Sequence, residues 1–102
     1  ATFGGDKAIF GFGSPGGSQV STTNLISSSG VMASDTTGVG TGRSSGAAAA
    51  FGGDKAVFAY GDTNAENWTS LKNLVSNQGV VAADVAGVGT ARGNLAATGF
   101  GS

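Results

Sequence analysis

Apolar residues in this chain fall in short runs, and glycine punctuates them. KAIFGFG at 7–13, NLI at 24–26, AAAAFG at 47–52, KAVFAYG at 55–61 and VVAA at 80–83 are the clearest. None of these runs keeps a 3.6-residue period over a helical length. Glycine and β-branched residues also recur too often for stable helices. The pattern predicts an all-β protein of short strands joined by tight turns.

The pattern also repeats. FGGDKAIFGFG at 3–13 returns as FGGDKAVFAYG at 51–61, an offset of 48. NLISSSGVMASDTTGVGTGR at 24–43 returns as NLVSNQGVVAADVAGVGTAR at 73–92, an offset of 49. The change of offset isolates one length-variable segment, 14–23 against 62–72. A repeat of this period is the signature of a modular fold. In the second unit the turn chemistry predicts four antiparallel strands, at about 47–51, 55–60, 70–76 and 80–83. The Gly-Gly-Asp turn joins the first two, with the glycines and Asp54 expected at positive φ. The Asn77-Gln78-Gly79 turn joins the last two. Four short antiparallel strands per repeat is the sheet unit of a β-propeller blade. The expected division is residues 1–50 for one blade-like repeat. Residues 51–102 form a second, together with the lead strand of a third.

Composition narrows the chemistry. Twenty of the 102 residues are glycine. Five Lys and Arg stand against six Asp and Glu, for a net charge of -1. The basic residues are scattered singly, so no patch for nucleic acid forms. No apolar run is long enough to span a membrane. There is no cysteine and no histidine. This removes disulfides, thiolate metal sites and the commonest general base, and no cofactor or metal is expected. The chain reads as non-catalytic. Gly11-Phe12-Gly13-Ser14-Pro15-Gly16 satisfies a dinucleotide-binding pattern literally, but no helix follows and the second unit breaks it.

The order of a small-apolar strand, a Gly-Gly-Asp turn, KAIFGFG, a variable loop, two further strands and GTxR resembles a divergent kelch repeat. Arg43 and Arg92 fall where that family often carries arginine, while Trp68 precedes the third strand rather than following it. DKAIFGYG-type tandem repeats of phage and environmental viral proteins are similar as well. The resemblance implies a β-propeller with two four-stranded blades per chain. Closed propellers hold roughly four to eight blades, so two blades expose an apolar face at each end. The expected partner is the chain itself, in a ring closed by oligomerisation, with a trimer preferred and a tetramer next. Residues 92–101 are expected to lend a first strand to residues 7–12 of the next copy.

The charges divide into two groups. Asp35, Arg43, Asp84 and Arg92 recur at equivalent places. Each aspartate lies eight residues before its arginine, which predicts ion pairs or loop locks within each unit. Asp62, Glu66 and Lys72 have no counterpart and fall in the variable segment beside the single tryptophan. Asp62, Asn64, Glu66, Asn67 and Trp68 are therefore the candidate ligand-binding residues. An aromatic face for stacking, with acids and amides for hydroxyls, suits a glycan. The alternative function is thus a lectin-like propeller module. The competing role for Trp68 is a packing anchor between blades.

Overall fold

The computed structural model describes residues 1–16, 18–63 and 67–100. Six strands form among them: β1 (Thr2–Phe3), β2 (Lys7–Gly11), β3 (Thr23–Ile26), β4 (Ala47–Phe51), β5 (Lys55–Ala59) and β6 (Lys72–Val75). No helix is present among the described residues. The strands make two three-stranded antiparallel sheets, ordered β1-β2-β3 and β4-β5-β6. The protein is all-β, and β4, which spans the expected boundary at residue 50, pairs in the second sheet.

The Gly-Gly-Asp turns close both hairpins. Gly4 and Gly5 take φ of 60° and 83°, and Gly52 and Gly53 take 63° and 82°. Only the glycines adopt positive φ here. Asp6 and Asp54 instead pair with the lysines that follow them, at 2.6 and 2.8 Å.

The expected fourth strand differs from a regular strand. Val81 bridges Val75, and Val85 bridges Lys72. Between these bridges two residues of β6, Asn73 and Leu74, face three residues, Ala82, Ala83 and Asp84. The first unit does the same, with bridges Ile26–Met32 and Thr23–Thr36. One extra residue on one side is a β-bulge, which interrupts the ladder and redirects side chains. The fourth segment therefore follows β3 and β6 through isolated bridges, and the sheets count three strands each.

Alternation along the strands sorts the side chains into two faces. In β5 and β6, Ala56 lies opposite Val75 and Phe58 opposite Asn73. This face turns toward the first unit. In β2 and β3, Ile9 lies opposite Leu25, and this face turns toward the second unit. Phe3, Ile9, Ala56, Phe58, Val75 and Val81 form the buried core. The core therefore lies between the sheets, and each unit contributes a different face to it. The first unit's remaining face, with Ala8, Phe10, Asn24 and Ile26, turns outward. So does the second unit's opposite face, with Phe51, Val57 and Leu74.

Candidate assembly interface

The most elaborate polar contact in the molecule joins the two units. It starts in the loop leading to β4. The Arg43 carbonyl accepts a hydrogen bond from Gly13 N at 2.6 Å, and Arg43 N donates to Val20 O at 3.3 Å. The loop is thereby fastened to its own unit. The Arg43 guanidinium lies 4.6 Å over the Phe12 ring and is buried. Its Nη2 donates to Asn73 Oδ1 in the second unit. Its Nη1 has no hydrogen-bond partner among the described residues. Burial pulls the Arg43 pKa below its ordinary value, and the field of Asp84 opposes that shift.

Asn73 passes the contact onward. Its Nδ2 donates to Ala82 O at 3.0 Å and to Asp84 Oδ1 at 2.9 Å. The bulge allows this, because the extra residue turns Asp84 back toward β6. Asp84 also accepts from the first unit, from Thr41 N at 3.1 Å and from Thr41 Oγ1 at 2.6 Å. Its pKa is lowered, first by the Thr41 hydroxyl and then by Asn73, while partial burial opposes the shift. Gly40, at φ 87°, leaves room for this approach: a Cβ there would collide with the Asp84 carboxylate and the Asn73 amide.

This arrangement differs from the expected pairing of each aspartate with the arginine eight residues later. Asp84 engages the first unit's Thr41 directly and Arg43 through Asn73. Asp35 accepts from Asn24 Nδ2 at 2.8 Å. Arg92 lies 4.4 Å over the Tyr60 ring and donates to Thr90 O at 3.1 Å. The described salt bridges are instead Lys7–Asp6 and Lys55–Asp54. The cause is the stacking of the units, which carries Arg43 past its own bulge to Asn73 of the second unit. Asn73 and Thr41 carry no charge, so the charge pattern does not single them out. The available signal was their recurrence in the sequence as Asn24 with Asn73 and Thr41 with Thr90.

The candidate glycan residues are partly assembled. Asp62 exchanges backbone hydrogen bonds with Ser44 at 2.8 and 3.0 Å, and its Oδ1 accepts from Asn67 N at 3.1 Å. Trp68 follows, 45 % exposed, with its ring packed on Gly93. Asp62, Asn67 and Trp68 thus sit in one loop. Asn64 and Glu66 lie outside the described residues. Among the described residues no cluster of His, Cys, Asp and Glu is suited to a metal ion. No described helix is long and apolar enough to cross a membrane.

No protein-family model matches the chain, and none of the curated proteins compared with it does.

Proposed function

We propose that this chain is a non-catalytic structural module, two kelch-like blades that join other copies in a closed β-propeller ring. Each blade consists of a three-stranded sheet extended by the bulged fourth segment. Three copies make six blades and four make eight, both within the roughly four to eight of closed propellers. Three remains the preferred number.

One observation carries the reading. Equivalent aromatics are buried at the internal contact and exposed at the outer flanks. Phe58 is 8 % exposed and its counterpart Phe10 is 55 %; Phe3 is 1 % exposed and its counterpart Phe51 is 40 %. Apolar groups placed so regularly on an outer surface favour a partner that covers them. The absence of histidine and cysteine from the sequence further favours a structural role over a catalytic one.

Native mass spectrometry or sedimentation tests the proposal. The expected species is a single closed assembly of three or four chains. A folded chain that stays monomeric at high concentration refutes it.

The half-exposed Trp68 favours a second reading, glycan binding through Asp62, Asn67 and Trp68. An array of glycans should then show binding that disappears with Trp68→Ala. An array with no binding discards this alternative.

A further inference from the structure

The outer flanks carry the two halves of the polar contact that joins the units internally. On one flank, Thr90 and Arg92 stand where Thr41 and Arg43 stand in the first repeat. Arg92 is held over Tyr60 at 4.4 Å, as Arg43 is over Phe12 at 4.6 Å. Its carbonyl accepts from Gly61 N at 2.9 Å, as that of Arg43 accepts from Gly13 N. Yet Arg92 is exposed where Arg43 is buried.

The opposite flank holds the complementary half. Asn24 Nδ2 donates to Asp35 Oδ1 at 2.8 Å and to Ala33 O at 3.3 Å. Asn73 makes the same two bonds, at 2.9 and 3.0 Å. Asp35 is exposed. An open groove of about 590 Å³ lies here, lined by Phe10, Phe12, Thr22, Asn24 and Asp35 among others.

The glycines agree with this assignment. A Cβ on Gly40 would collide with Asp84 and Asn73, whereas one on Gly89 would meet only the Tyr60 hydroxyl, at 3.4 Å. A Cβ on Gly79 would press on Phe3 and Leu25, whereas one on Gly30 would meet nothing within 4 Å. The internal junction is full at these places and its outer equivalents are open.

We propose that the flank bearing Thr90 and Arg92 docks on the flank bearing Asn24 and Asp35 of a second copy, reproducing the internal junction. The Arg92 guanidinium donates to Asn24 Oδ1, and Thr90 donates to the Asp35 carboxylate. Phe10 then packs on the partner's Tyr60, as Phe58 packs on Phe12 at a ring separation of 4.9 Å. Arg92 already lies over Tyr60 and Asn24 already holds Asp35, so docking requires only that Arg92 give up its bond to Thr90 O. The contact is heterologous, head to tail, because each copy has one flank of each kind.

This inference rests on the self-assembly reading, and the test separates the two. Association is followed by sedimentation for wild type, for Arg92→Glu, for Asp35→Arg and for an equimolar mixture of the two variants. Each variant alone should associate on the order of thirtyfold more weakly or worse, as expected when one partner of a charged interface contact is reversed. The mixture should recover association as pairs of one copy of each variant, because the intact Arg92 flank of Asp35→Arg meets the intact Asp35 flank of Arg92→Glu. Circular dichroism of each variant checks that the sheets survive. Cysteines replacing Asp35 and Thr90 in one chain should give disulfide-linked multimers on oxidation. A wild type that assembles, with variants that assemble equally well, overturns this docking mode and leaves the assembly reading standing. Weakened variants that do not recover on mixing, or cysteines that never link copies, also overturn it. A monomeric wild type overturns both.

Discussion

Asn73 shows how much one neutral side chain can hold. It is fully buried, receives the Arg43 guanidinium, and donates to Ala82 O and Asp84. Its removal strands a buried cation and releases two acceptors to solvent. Asn73→Ala should lower the unfolding free energy by about 3 kcal/mol, since an unsatisfied buried group bonded to a charge is costly. Asn24→Ala, at the equivalent place on the outer flank, should cost less than about 1 kcal/mol in a dilute chain, because water replaces its contacts. Urea titration of both variants checks the difference. A similar loss for both would remove Asn73's special standing.

At the scale of elements, the bulge and the loop before β4 form one device. The bulge turns Asp84 inward, and the loop brings Thr41 to it. Because Thr41 and Asn73 stabilise the carboxylate, the folded pKa of Asp84 lies below its ordinary value of 3.8. A depressed folded pKa means that the unfolded chain takes up the proton first as pH falls. The stabilisation from Asp84 is therefore intact above about pH 4 and is lost as pH drops through the lower folded value. Asp84 is exposed to solvent, so this contribution is modest. Thr41→Val should flatten the acid limb of a pH–stability curve measured from pH 2 to 6. An unchanged acid limb would show that the hydroxyl does not hold the carboxylate.

Much at this scale was legible in the sequence. Four of the six strands lie on the two FGGDKA motifs, and β4 spans the expected residues 47–51. Local turn chemistry suffices there, because the Gly-Gly pair dictates a hairpin wherever the sheet later packs. The fourth segment was only partly legible. VVAA at 80–83 reads as a strand, but alternation cannot reveal where an extra residue enters a ladder. That depends on the partner strand across the turn.

The whole molecule is two sheets stacked face to opposite face, which leaves one face of each kind at its ends. A chain of this size with many Gly, Ala and Ser residues buries little apolar area per residue, so covering those ends matters to its stability. The recurrence of Asp and Arg in both units leads to the expectation of ion pairs or loop locks within each unit, while the choice of partners is hidden in it. Spacing along the chain suggested Asp84 with Arg92, and stacking of the sheets selects Asp84 with Thr41 and, through Asn73, Arg43. By itself the sequence determined what local chemistry can decide: strand-length apolar runs, glycine turns and a duplicated unit. Only the tertiary structure decided which face meets which. Side chains far apart in the chain interact through the packing of whole sheets, and no spacing within a single repeat encodes that.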